Sequence, residues 1–419
     1  MSQELRRWFN AHWTPTKYQQ FLAAIDADLG HHVEFRISET PCFFDTALAE
    51  RMCASGTALL DQLTNPAYMQ VSDRAVPDAY RVPNEAPHPM FVQVDYGLVR
   101  DAQGNIQPRL VEIQGFPSLY GFQPLMAEHY KAAYGLDPNL KYLLDGLDRP
   151  AYNAVLREAI LGGHDPENVI LMEIDPEHQK TRCDFVCTER ITGIRTVCIT
   201  SIKQHGRKLF YSHDGREVPI QRIYNRTIID ELERKGIVAP FRWTGDLDVE
   251  WAGHPNWYFR LSKFSMPFLK HETVPETHFM DQLDHLPDDP ENWVLKPLFS
   301  FAGLGVIVGP TAAELGAVKD RENYILQRRV RFDPVIETPH GMTMAEVRLM
   351  FIWTDRPRPV NTIIRTGRGK MMGVDQNKGL EWVGAWRLSM SDRPIMKAWP
   401  PSSRQSIRPE SCAHSGHWI

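Results

Sequence analysis

The sequence predicts a mixed α/β (α+β) fold in three parts, and three observations predict it. Apolar residues recur at helical spacing through residues 1–70. Short apolar strands alternate with polar, helix-like stretches from about residue 163. From about residue 251 longer alternating segments take over. A chain of 419 residues supports two to three domains. With 42% hydrophobic and 24% charged residues, it is neither a disordered chain, a collagen-like repeat nor a coiled coil. The 47 basic and 52 acidic residues leave a net charge of -5, without the basic excess that nucleic acid or an anionic membrane surface would attract. No run of 18 apolar residues is present, so no membrane span is expected, and MSQELRRWFNAHW lacks the apolar centre of a signal peptide. Six cysteines at scattered positions form no disulfide framework and point to a reducing, cytoplasmic setting.

Each part has its own grounds. In the first, residues 1–162, Tyr18, Phe21, Leu22, Ile25 and Leu29 mark a helix, and Leu48, Met52, Leu59 and Leu60 continue the pattern. The Pro-rich stretch 76–90 reads as a loop. A hairpin follows: FVQVDYGLV (91–99) and PRLVEIQG (108–115) alternate, joined by DAQGN (101–105). Residues 120–162 read as mostly helical. The second part, 163–250, carries NVILMEI (168–174) and TVCITSI (196–202) as strands of a small parallel α/β unit, closing with VPIQRIYNRTIIDEL. The third, 251–395, opens a short helix at SKFSMPFLKH. Strands follow at WVLKPL (293–298), YILQRRV (324–330), AEVRLMFIW (345–353) and VNTIIRTG (360–367). Residues 396–419 are rich in Pro, Ser and Arg without a period, which predicts a disordered tail.

Two places could carry chemistry. Side chains alternate along a strand, so Gln93 and Asp95 share a face, as do Glu112 and Gln114. Pairing across the turn could gather two carboxylates and an amide oxygen, which suit Mg²⁺; the bland reading is a solvated hairpin face. In WVLKPLFSFAGLGV a buried strand ends at Lys296 and is followed by Gly303 and Gly305. That makes a phosphate cradle from backbone N–H groups and an ammonium, or an ordinary glycine turn. Lys263 stands at a helix start about thirty residues earlier. The exit of YILQRRV, Gln327 to Val330 (with Arg328 and Arg329), could meet an adenine edge through its backbone. Glu346 and Arg348 share one face of a late strand. Cys183 and Cys187 lack zinc-site spacing, and no nucleophile elbow, full P-loop or dinucleotide fingerprint is present.

Taken in order, Lys263, P-E-T (275–277), V-L-K-P with its Gly loop, Y-I-L-Q-R-R-V and E-V-R (346–348) resemble the ATP-grasp superfamily. The likeness of that fold's metal-binding strands, V-D-Y and V-E-I-Q (94–114), lies before the nucleotide segment. That order is similar to the circularly permuted ATP-grasp ligases, nearest to eukaryotic-type glutathione synthetase. The pattern includes Asp95-Tyr96, Glu112-Ile113-Gln114, Tyr224-Asn225-Arg226, Lys296-Pro297, Tyr324-Ile325-Leu326 and Ile364-Arg365-Thr366, over residues 90 to 390. The ordered set, rather than any one motif, carries the likeness.

The resemblance implies an ATP-dependent carbon–nitrogen ligase that joins a small-molecule carboxylate to an amine through an acyl phosphate. It implies ATP and Mg²⁺ as cofactors; the charge balance already argues against a nucleic-acid or membrane partner, and a homodimer is one possible assembly, which the sequence does not decide. Asp95, Glu112 and Gln114 would hold Mg²⁺. Lys263, Lys296, Gly303 and Gly305 would hold phosphates, Gln327, Arg328, Arg329, Val330 and Glu346 would complete the nucleotide site, and Arg226 and Arg365 would grip a carboxylate or acyl phosphate. The chain departs from the family pattern in four places. Gln114 replaces an Asn, Gln93 an Arg, Ser300 an acidic metal ligand and Gly367 a Lys. The metal count and the acyl substrate therefore stay open, glutathione synthetase itself is not expected, and two alternatives remain: an ATP-binding regulatory subunit without catalysis, and a small-molecule phosphotransferase.

Overall fold

A computed structural model describes residues 3–300, 303–370, 372, 377, 379–386 and 388–391. The tail expected to be disordered, 396–419, lies outside the described residues, as do Phe301 and Ala302 of the glycine loop. Helices and strands are mixed throughout, as expected. Among the described residues no helix is long and apolar enough to cross a membrane.

The front helices Gln3–His12, Pro15–Leu29, Thr46–Leu63 and Pro66–Ser72 follow the predicted spacing. Thr14 caps the second through the Lys17 N–H, Pro15 sits in its first turn, and Gly30 ends it at φ +80°. One expectation needs correcting. The front is not helical throughout, because Cys42–Asp45 is a strand, paired in parallel with Leu388–Ser391. That partner lies more than three hundred residues away in sequence, beyond the reach of local periodicity.

The hairpin, Phe91–Arg100 with Ile106–Gln114, does not stand alone. It forms one edge of a six-stranded antiparallel sheet, in the order Gly384–Trp386, Pro357–Gly367, Gly341–Trp353, Phe91–Arg100, Ile106–Gln114, with Pro334–Thr338 paired to 341–353. Strands from both sides of residues 163–250 thus share this sheet. The helix Thr46–Leu63 covers one face. Gly56 permits the approach, since a Cβ there would fall 2.7 Å from Phe351 Cζ, and the Tyr96 hydroxyl donates to Ser55 Oγ at 3.0 Å. The other face carries Gln93, Asp95, Glu346 and Arg348.

The middle part is a parallel sheet, ordered Glu250–Ala252, Arg222–Asn225, Val169–Glu173, Arg195–Cys198, beside a small antiparallel sheet over 203–220. The strand expected over 196–202 is shorter: after Cys198 the chain turns into a 3-10 helix, Ile199–Ser201. A second antiparallel sheet, Thr277–Phe279, Tyr324–Arg328, Trp293–Pro297 and Ile307–Val308, packs over its own small apolar cluster of Met280, Trp293, Leu295, Leu315 and Leu326.

Arg226, expected to grip substrate, has a different place. Its side chain is 2% exposed, its guanidinium donates to Asp184 at 2.6 Å, and it lies over the rings of Phe116 and Phe185. Asp184 also accepts from the N–H groups of Leu119, Gly121 and Phe122. The pair therefore fastens the GFPSLYG loop that follows the hairpin. Removing one member of a buried ion pair strands the other charge. Asp184→Ala is expected to cost about 3–5 kcal/mol, read as a lower urea midpoint.

Candidate active site

The site grows from the hairpin register. Gln93 lies opposite Gln114 and Asp95 opposite Glu112, so the four polar residues come together as their alternation predicts. The register then shifts between Asp95 and Tyr96, where Tyr96 pairs with Leu110. Val111 is the extra residue of this bulge. Its carbonyl accepts from Lys296 Nζ at 2.9 Å, and this bond joins the hairpin edge to the second antiparallel sheet. The Leu110 and Gly115 N–H groups donate to Thr273 and Leu261 carbonyls, which ties the same edge to the segment carrying Lys263.

On the hairpin's other side, Arg348 lies opposite Asp95, and Arg365 opposite Glu346. Arg348 grips Asp95 with two parallel bonds of 2.7 and 2.6 Å and reaches Gln93 Oε1 at 2.9 Å. Arg365 donates to Asp95 at 2.6 Å and also to Glu346. With its amide oxygen turned toward Arg348, Gln114 accepts at 2.7 Å. Burial opposes ionisation of Asp95, yet the two guanidinia hold its carboxyl below the usual range. Burial pushes Glu346 up, against Arg365. Glu112 is also pushed up by burial, but Lys263, Lys296 and Arg348 outweigh this and lower it. Glu112 is the least committed carboxylate, 3.7 Å from Lys263 and 3.9 Å from Arg348.

These groups face a cavity of about 790 Å³. Asp95, Glu112, Gln114, Lys263, Lys296, Gly303, Gln327, Arg329, Val330, Glu346 and Arg365 all line it, brought from sequence positions up to 270 residues apart. Lys263 Nζ donates to the Ser300 carbonyl at 2.6 Å and Lys296 Nζ to Gln327 Oε1 at 2.6 Å. Gly303 sits at φ +74°, a conformation that favours glycine. Gln327 Nε2, Ser300 Oγ and Arg365 Nε are buried without a partner among the described residues, and such donors ask for a ligand.

Three expected residues are placed away from the cavity wall. Arg226 is buried as described. Arg328 pairs with Asp289 at 2.6 Å and lies over Trp293. Gly305, at φ +71°, backs onto Pro297, with its ideal Cβ position 2.9 Å from Cγ. The Arg328 and Arg329 N–H groups already serve the Glu276 and Asn292 carbonyls; that of Val330 has no backbone partner among the described residues.

Sequence reasoning left out several lining groups. Arg348 shares a strand face with Glu346 in the sequence and stands in the E-V-R segment, without a role assigned to it there. Arg368 and Lys370 follow in TGRGK, a basic run that could have marked them. Arg331 and Lys180 carried no signal. In all, nine basic side chains line the cavity against three carboxylates, in a chain of net charge -5. The described residues contain no group of three or more His, Cys, Asp or Glu arranged to hold a metal.

No family model matches the sequence, and no curated protein matches it. The fold does have a match, and it is glutathione synthetase-like. The apo structure of a glutathione synthetase-like effector from Globodera pallida superposes with a TM-score of 0.57 at 13% identity, covering 90% of this chain and 100% of that one.

Lys296 gives the site a pH signature. Burial pushes its ammonium down to about 8, with Glu112 pulling the other way. Below that pH the group is charged in both folded and unfolded chains, and burial disfavours the folded one. Between about 8 and the ordinary 10.5 the native state has released a proton that the unfolded chain keeps, so stability climbs with pH. Lys296→Met should flatten this climb, measured as the change in urea midpoint between about pH 7.5 and 9.5.

Proposed function

We propose that this chain is an ATP-dependent carboxylate–amine ligase of the circularly permuted ATP-grasp kind. The supporting observation is the cavity itself, a concentration of positive charge beneath a glycine loop in an acidic protein. A triphosphate and a carboxylate repel, and only a site with excess cations brings them together. Lys263, Lys296 and the backbone around Gly303 would take the phosphates. Val294 and Val308 on one sheet, with Phe332 and Met344 also lining the cavity, would offer apolar walls to a base, and the Val330 N–H would offer it a donor.

Mg²⁺ fits part of the expected set. Asp95 has both oxygens on guanidinium N–H groups, and the Gln114 oxygen faces Arg348. Among the described residues Glu112 carries only the two long ion pairs. Mg²⁺ commonly takes one or two carboxylates beside substrate phosphates, which suits Glu112 with Glu346; Asp95 and Gln114 then orient Arg348 and Arg365. The ion would supply charge neutralisation at the phosphates.

In the reaction, a substrate carboxylate oxygen attacks the γ-phosphorus. The new P–O bond forms as the bond to the β-phosphate oxygen breaks, and ADP leaves. An amine then attacks the acyl carbon, the carbon–oxygen bond to phosphate breaks, inorganic phosphate leaves and the amine's proton passes to solvent water. Arg365, whose Nε has no partner among the described residues, would hold the acyl phosphate.

Two outcomes test the reading. Lys296→Ala should weaken MgATP binding by about 1–3 kcal/mol, the range for hydrogen bonds to charged groups, measured by titration calorimetry. Glu112→Gln keeps size but loses a charge; amine-dependent ADP release should fall on the order of 100-fold or more, measured at a temperature where circular dichroism shows the variant folded. Normal turnover in that variant would return the hairpin face to the bland reading. ADP formed without amine would favour a phosphotransferase, and ATP bound without ADP release a regulatory subunit.

A further inference from the structure

The cavity also has lining residues that the phosphate chemistry does not use: Phe35, Phe116, Ile228, Tyr258 and Leu261, with Lys180 beside them. Phe116 and Tyr258 meet edge to face with ring centroids 6.1 Å apart. Topology marks the same place independently. Lys180 and Ile228 lie on the connections that leave the carboxyl ends of Val169–Glu173 and Arg222–Asn225. These strands are parallel neighbours, and the strand that follows the first in sequence, Arg195–Cys198, lies on its opposite side. The sheet therefore changes its direction of growth between them, and open parallel sheets bind ligands in the crevice beyond such a point.

One wall of the lobe is anchored through Arg226 and Asp184. Phe116 rests 5.3 Å from the Arg226 guanidinium, and its loop is fastened by Asp184. Phe116 follows Gln114 by two residues, at most about 7 Å along the chain, and Gln114 touches Arg348. A molecule with its carboxylate at Arg348 and Arg365 would thus reach the aromatic lobe within a few bonds.

We propose that this lobe receives the body of the acid substrate, and that the acid carries an apolar group of aromatic or branched-chain size rather than a second polar end. The inference rests on the ligase reading in taking the guanidinium end as the seat of the reacting carboxylate. Phe35, Phe116, Ile228, Tyr258 and Leu261 discriminate by burial, while Lys180 is solvent-exposed and its pairing there is worth little, so selectivity of about tenfold or more is expected.

The test is calorimetric titration of the full chain with 3-phenylpropanoate and with adipate, a dicarboxylate of similar length. MgATP is titrated separately into the wild type. The expected result is that 3-phenylpropanoate binds at least about tenfold tighter than adipate, and that Ile228→Asp, which puts a charge into the lobe, loses at least as much. Ile228→Ala replaces that variant if it does not fold, with a loss of about tenfold expected. Adipate binding equally well, 3-phenylpropanoate affinity unchanged by the Ile228 substitution, or no binding of either acid overturns the inference. Failure of the two readings is distinguishable. If the wild type takes 3-phenylpropanoate with this dependence but not MgATP, the ligase reading fails and the lobe stands; if it takes MgATP but shows no preference between the acids, the lobe fails alone.

Discussion

The site depends on one buried carboxylate, Asp95, whose side chain is 1% exposed and which is held by guanidinia from two other strands. Such a charge is tolerable only when its partners are in place. Arg348 lies directly across from it and Arg365 one strand further away, so the ion cluster is satisfied only when three strands stand in one register. A slip of one residue would turn Asp95 toward the apolar helix Thr46–Leu63 and the guanidinia into different faces. The cluster thus fixes the floor of the cavity. It also decides which carboxylate is left over, because Asp95 is consumed by its own neutralisation while Glu112 is not.

The second constraint is the bulge at Val111. In a regular ladder that carbonyl would belong to the hairpin; here it accepts from Lys296. One misplaced residue therefore couples the central sheet to the sheet that carries both Lys296 and Gln327. Lys296 stays in a position where burial works against its charge, surrounded by Glu112, Glu346 and Asp95. An anion arriving there would supply what burial removes, which is a physical reason for a lysine at so dry a place.

The cavity has two sides. The phosphate side joins lysines, arginines and a glycine with positive φ to the apolar Val294, Val308, Phe332 and Met344, and the other side is aromatic rings with Lys180 at the open end of a parallel sheet. Arg226 belongs to neither as a ligand contact. Through Asp184 it holds the loop that forms the boundary between them, so an arginine expected to touch substrate acts through the backbone it anchors.

Much of this was legible in the chain. Periodicity two placed Asp95 with Gln93 and Glu112 with Gln114, and the turn between the strands made their meeting a matter of local geometry. The same held for the strand ending at Lys296 and the glycine after it, because a strand's burial and a turn's φ are properties of a few adjacent residues. What sequence could not decide were pairings between distant segments. Cys42–Asp45 became a strand only because Leu388–Ser391 lies beside it; Arg348 became the partner of Asp95 because strands about 250 residues apart are neighbours; Arg226 was drawn inward by Asp184. Local spacing determines which face a side chain takes, whereas the partner it meets there, and hence whether its charge is free or spent, is set by the order in which strands assemble.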